Sequence, residues 1–131
     1  MSDAGLRDLE RRARAGDREA RRRWRAGLLR LRDPRLDPVP GDVVRTEIVP
    51  HARPERFTRF VRKIIENEQG EIVEVLWGRV LWLYGPEDGA GFCYHPRFTL
   101  CSIETWRRRT RHGEVVRMAE ERAPEDAPSD A

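Results

Sequence analysis

A chain of 131 residues, 38% hydrophobic and 37% charged, has room for one compact domain plus an appendage, with a small core drawn from a limited stretch. No apolar run approaches the roughly 20 residues that span a bilayer, and Met1-Ser2-Asp3-Ala4-Gly5 lacks the apolar centre of a signal peptide. The expectation is therefore a cytoplasmic chain without a membrane partner, with Cys93 and Cys101 as reduced thiols.

The net charge of +3 conceals a segregation of charge. Of 26 basic residues only Lys63 is lysine, and the arginines concentrate at 7–32 and 107–111, while 120–130 is acidic. Segregated charge creates local potentials that select partners, and the arginine fork suits phosphate and carboxylate. A GC-rich genome accounts for arginine in place of lysine, but not for its clustering.

Leu6, Leu9 and Ala13 recur at helical spacing behind Asp3, a candidate N-cap. Gly16-Asp17 interrupts the pattern as a helix end and a new cap, and a second helix follows with Ala20, Trp24, Leu28 and Leu31 on one stripe. Arg21, Arg22, Arg25 and Arg32 fall largely off that stripe. Residues 1–33 thus form an arginine-rich αα-hairpin, and 34–41, with three prolines, reads as a stiff extended linker. A small β domain is expected over 42–113. It opens with Pro40-Gly41-Asp42 turning into a strand at 43–49.

Phe57, Phe60, Val61, Ile64 and Ile65 fit a helical stripe, yet the segment is rich in β-branched residues and Asn67-Glu68-Gln69-Gly70 suits a hairpin turn. Periodicity alone leaves strand and helix open at 55–69; the hairpin is favoured. The apolar run 72–84 follows, with Gly78 as a bulge or bend. Next come a loop at 86–91 and two short strands, 92–94 and 98–101, around His95-Pro96-Arg97. Ser102 caps a short helical turn that points Trp106 to the core. Residues 114–131 read as an acidic, mostly disordered tail.

The densest cationic run, Arg107, Arg108, Arg109 and Arg111, contains no acid. With Trp82, Tyr84 and Tyr94 it suggests cations beside aromatic faces, as in single-strand binders. Arg21, Arg22 and Arg25 offer a second contact, although Asp8, Glu10, Asp17 and Glu19 lie among the hairpin arginines. Cys93, His95, Cys101 and His112 match no usual zinc spacing, so no metal is assigned. Glu66, Glu68, Glu71 and Glu74 read as solvated turn residues. No nucleophile elbow, Gly-rich phosphate loop or HExxH pair is present, so neither enzyme activity nor cofactor is expected.

Leu9-Glu10-Arg11-Arg12-Ala13-Arg14-Ala15-Gly16-Asp17, Pro40-Gly41-Asp42-Val43-Val44 and Cys101-Ser102-Ile103-Glu104-Thr105-Trp106-Arg107-Arg108 together resemble small uncharacterised bacterial proteins of planctomycete and phage-like gene sets. The resemblance brings no assigned activity. It implies strand at the ambiguous segment and an SH3-like opening to the β domain. The combined expectation is an α+β chain: an αα-hairpin, then a small SH3-like, strongly twisted antiparallel β-barrel with a short C-terminal helical turn. The expected function is non-enzymatic nucleic-acid binding, to DNA or RNA, through the arginine-rich surfaces. The rival is an adaptor docking on an acidic protein partner. Oligomeric state is left open.

Overall fold

The computed structural model describes residues 3–48, 55–84 and 91–121, without the side chains of 47–48, 55–56, 82–84 and 91–93. The chain divides into two units, Met1–Asp33 with Glu120–Ala131, and Pro34–Ala119. The helical unit contains α1 (Asp3–Arg14) and α2 (Arg18–Leu31). Their stripes bury Leu9, Ala13, Ala20 and Trp24 together, with Leu6 and Leu28 at the margin. The turn between them is specified twice. Gly16 takes a left-handed φ of 101°, its N–H donates to Ala13 O at 3.0 Å, and Asp17 N–H donates to Arg12 O at 3.1 Å, which satisfies the last carbonyls of α1. Asp17 then caps α2 by accepting from Ala20 N–H at 3.0 Å.

The second unit contains β1 (Val43–Ile48), β2 (Glu55–Glu66), β3 (Ile72–Tyr84), β4 (Gly91–Ser102), α3 (Ile103–Thr110) and β5 (Glu114–Arg117). The strands form one antiparallel sheet in the order β4-β3-β2-β1-β5. The expected barrel is corrected here: the sheet is open, with β4 and β5 as its edges. The edge strand β5 has four residues and meets β1 across an irregular register, too short a seam for closure. One face is instead covered by α3, whose Ile103 and Trp106 pack on Val44, Val61, Val75 and Trp77. The opposite face carries a second cluster of Val43, Phe60, Val80 and Val116.

The segment 55–66 is strand, and its helix-like spacing has a physical origin. Val61 joins the cluster under α3 while Phe60 joins the opposite one, because the sheet buries apolar residues on both faces. A register shift between Val61 and Lys63 then changes parity, which returns Ile64 to the α3 side. At the hairpin tip Asn67 Oδ1 accepts from the N–H groups of Gln69 and Glu71 at 3.0 and 2.9 Å. Gly78 is needed for space: a Cβ there would lie 2.3 Å from Phe60 Cε1 and 3.0 Å from Phe98 Cδ1.

Four other boundaries differ from the sequence reading. His95-Pro96-Arg97 does not separate two strands; β4 is continuous, and the extra residues are absorbed by register shifts between Gly78 and Trp82 of β3. The short helical turn is a two-turn helix of 8 residues, capped by Ser102, which accepts from Thr105 N–H at 3.2 Å. The expected tail begins with β5, and only 122–131 lie outside the described residues. The same is true of most of the expected loop at 86–91.

The fourth difference is the proline linker, which is a packed strap. Pro34 and Pro38 are buried. Trp106 Nε1 donates to Pro34 O at 3.0 Å, Thr110 Oγ1 to Arg35 O at 3.3 Å, and Arg107 Nε to Leu36 O at 2.8 Å. The buried Pro34 and Pro38 have no N–H to satisfy, which lowers the cost of packing the strap against the helix. Buried Asp42 closes it, accepting from Val39 N–H and Ala119 N–H, both at 2.8 Å.

Truncation of Trp106 to alanine should cost about 3–5 kcal/mol by urea denaturation. Trp106→Phe, which keeps most of the packing but strands the Pro34 carbonyl, should cost about 1–3 kcal/mol. A Trp106→Phe variant as stable as the parent would remove the hydrogen bond from this account. A second expectation concerns acid. Asp17 is held below the ordinary carboxylate range by the Ala20 N–H and then Arg12, and Asp8 by Arg11 and Arg12, with desolvation opposing in both. Carboxylates depressed by folding stabilise above the unfolded value of about pH 4, and that support disappears as pH falls through the depressed values. Helical ellipticity should therefore decline below about pH 4 in the parent, and the decline should be smaller in Asp17→Asn.

Candidate phosphate and nucleic-acid interface

The two arginine blocks have different electrostatic surroundings. In the helical unit most arginines already have acids. Arg11 and Arg12 pair with Asp8, Arg12 also with Asp17 at 3.3 Å, Arg14 with Glu10 at 3.2 Å, and Arg22 and Arg23 with Glu19 at 3.7 and 3.3 Å. These spacings of three to five residues put the partners on one helix face or across one turn. The start of the acidic segment completes the pattern. Arg25 Nε donates to Glu121 Oε1 at 2.8 Å, and Arg32 forks onto both oxygens of Glu120 at 2.8 and 2.7 Å. Glu121 is buried, so Arg25 is a structural counter-ion. Of the hairpin residues singled out by sequence, Arg21 alone makes no ion pair with a described residue.

In α3 the helical period sorts the second block. Ile103, Trp106 and Thr110 point into the core. Arg107 is held by the strap through Leu36 O, with Asp37 at 3.6 Å. Arg108, Arg109 and Arg111 are exposed and make no ion pair with any described residue. The aromatics expected beside them are placed elsewhere or undescribed: Tyr94 lies on β4, and the side chains of Trp82 and Tyr84 lie outside the described set.

Sequence reading missed a cluster that the register assembles. Phe57 and Arg59 alternate along β2, Trp77 and Arg79 along β3, and Arg59 sits opposite Arg79 with Val61 opposite Trp77. All four side chains therefore share the α3 face. The Arg59 guanidinium lies 4.6 Å from the Phe57 ring centre and 4.7 Å from that of Trp77. Arg79 also lies 4.5 Å from the Phe57 centre. Arg59 is only 4% exposed, donates from Nη1 to Thr46 Oγ1, and leaves its buried Nε without a hydrogen-bond partner among the described residues. Burial, then the charge of Arg109, pull its pKa down to about 10. It is still a cation at pH 7. The neighbouring Cys101 does not supply a counter-charge, since burial raises its thiol and keeps it protonated. The signal available in the sequence was the repeated aromatic-x-Arg, Phe57-Thr58-Arg59 and Trp77-Gly78-Arg79, on strands predicted to pair.

The opposite face of the sheet presents a different surface. Tyr94 and Phe98 are 43% and 36% exposed, against the buried Phe60 at ring distances of 4.7 and 5.9 Å. The Arg62 guanidinium lies 5.9 Å from the Phe98 ring centre. Lys63 and Arg97 are exposed, and neither they nor Arg62 form an ion pair with a described residue. By contrast the groove of about 590 Å³ beside the β2–β3 turn is lined by Asp37, Glu71 and Glu104 with Arg107, and lacks the uncompensated positive charge of the other two surfaces.

Among the described residues no three His, Cys, Asp or Glu side chains are placed to hold a metal ion, and no helix is long and apolar enough to cross a membrane. Removal of the Arg25 guanidinium leaves the buried Glu121 carboxylate without that partner. Arg25→Ala should cost on the order of 2–4 kcal/mol, below the roughly 3–5 of a fully buried pair because Arg25 remains partly exposed. Arg22→Ala should cost less than about 1 kcal/mol in the same denaturation series. Comparison with protein-family models, curated proteins and solved structures yields no significant match to this chain.

Proposed function

We propose that this chain is a non-enzymatic, cytoplasmic nucleic-acid-binding accessory protein, and that the Pro34–Ala119 unit makes the principal contact with single strands. One observation carries the reading. Cations of this unit (Arg62, Lys63 and Arg97 on the sheet, Arg108, Arg109 and Arg111 on α3) stand exposed without an ion pair among the described residues, and the exposed rings of Tyr94 and Phe98 lie on the sheet with Arg62 5.9 Å from the Phe98 centre. Exposed rings next to uncompensated cations are what a single strand uses: bases stack on the rings and phosphates release counterions at the cations. The exposed rings stand on the sheet, so they offer stacking without reading base edges, and binding should be tolerant of sequence.

The α3 arginines act as a second contact on the other face, with Arg108, Arg109 and Arg111 free to engage phosphate and Arg107 retained by the strap. Arg21 and Arg22 add a lesser contact in the helical unit. Arg25 contributes chiefly through its pair with Glu121.

Nuclease-treated protein should retain single-stranded DNA or RNA at low salt, with affinity falling linearly in log–log salt plots. Phe98→Ala and Tyr94→Ala should each lose about 1–3 kcal/mol of binding. Arg108→Gln with Arg111→Gln should weaken unrelated sequences equally and flatten the salt slope. Absence of retention at low salt overturns the reading, and retention of an acidic protein in its place would make the chain an adaptor.

A further inference from the structure

We propose that Arg59, Arg79 and Arg109 form a receptor for one dianionic phosphate monoester, the phosphorylated end of a bound single strand. This deepens the nucleic-acid reading and rests on it for the source of the phosphate, while the receptor chemistry rests on the cluster alone. A buried guanidinium is costly unless a counter-charge and hydrogen bonds compensate it. Arg59 has neither in full among the described residues: no carboxylate pairs with it, and its Nε finds no acceptor. The rings of Phe57 and Trp77 hold the guanidinium plane in place, which fixes the fork before a ligand arrives. Two further cations converge on this one point. Arg79 shares the Phe57 ring, with its guanidinium 4.5 Å from the ring centre, and α3, which packs on the same face of the sheet, brings the exposed Arg109 to that side.

The gathering of like charges around one buried donor selects the ligand. A carboxylate or an internal phosphodiester brings a single negative charge. A phosphate monoester brings about 1.5 to 2 at neutral pH and three strong acceptor oxygens, a match for several arginines at once. Arg79 is exposed and Phe57, 4.6 Å from the Arg59 guanidinium, is half-buried, so these two side chains have room to move aside. The Thr46 hydroxyl accepts from Arg59 and donates its own proton to Phe57 O at 3.3 Å, so it positions the guanidinium and leaves the ligand to the arginines. An internal phosphate of the strand would instead be met along the exposed cations of the sheet and α3.

The test measures affinity of the full chain for one single-stranded oligonucleotide carrying a 5′-phosphate, a 3′-phosphate or hydroxyls at both ends. Inorganic phosphate, a nucleoside monophosphate and a phosphoserine peptide serve as competitors. One phosphorylated end should bind at least about tenfold more tightly than the hydroxyl form. That preference should vanish in Arg59→Lys, which keeps a charge but loses the fork, and in the exposed double variant Arg79→Gln/Arg109→Gln, which has no folding penalty to confuse it. Arg59→Lys, which leaves every exposed cation in place, should bind the hydroxyl form within about twofold of the parent's affinity, whereas the double variant, which also removes a phosphate contact of α3, should weaken for both forms and show no preference between them. Equal affinity for phosphorylated and hydroxyl ends overturns the end receptor and leaves the stacking surface standing. Failure of every oligonucleotide, with inorganic phosphate still shifting the arginine Nε–H resonances of the parent and not of the double variant, keeps the phosphate receptor and overturns its nucleic-acid source. Preference for the phosphopeptide overturns that source as well.

Discussion

The seating of Trp106 determines what the second arginine block can do. Its indole fills the space between α3 and the sheet, and its N–H reaches the Pro34 carbonyl, so the helix cannot rotate about its own axis without breaking both. With that rotation fixed, the helical period assigns each neighbour a role. Thr110, one turn on, also bonds into the strap; Arg107 bonds to Leu36 O; Arg108, Arg109 and Arg111 are exposed. Four arginines within five positions thus divide between structure and binding because they project in different directions from one anchored helix.

The contrast between the units follows from how sequence distance maps onto charge. In α1 and α2, acids stand three to five residues from the arginines and meet them on the same face, so the positive block is largely neutralised by its own sequence. The segment at Glu120 and Glu121 extends that neutralisation to Arg32 and Arg25. Among the described residues no acid pairs with Arg59, Arg79 or Arg109, and a fold selected for stability alone would have put a leucine or methionine where Arg59 is buried. The two rings offset part of the cost by a cation–π contribution, of order 2 kcal/mol when desolvated. The remainder is what an incoming anion would relieve.

Legibility in the sequence followed the range of the interactions. The caps at Asp17 and Ser102 and the turn at Gly16 act within a few residues, and each stands where local chemistry placed it. The segment 57–65 was ambiguous because a strand buried on both faces with a parity change imitates helical spacing. The strap was read as a linker because its partners, Trp106 and Arg107, lie more than 70 positions away, and prolines look alike in a free linker and in a packed one. β5 has four residues, too few for a periodic signal, and is defined only by its pairing with β1. The same limit hid Arg59. Its neighbours Phe57, Trp77 and Arg79 converge through cross-strand register, which no window along the chain reports.

Genomic bias toward arginine also acquires a structural limit. Where a cation is exposed and contacts only a diffuse phosphate field, as at Arg108 and Arg111, lysine would serve nearly as well. At Arg32 the fork meets both oxygens of Glu120, and at Arg107 the same fork spans a carbonyl and a carboxylate. At Arg59 the flat guanidinium lies against two rings that meet edge to face, 4.6 and 4.7 Å from their centres, a position an ammonium would occupy with poorer contact and far greater loss of hydration. Composition supplies arginine at every basic position but one, whereas geometry requires it at few. The buried, aromatic-clamped Arg59 is the position where the planar cation is least replaceable, and where the surrounding fold is organised around it rather than merely tolerating its charge.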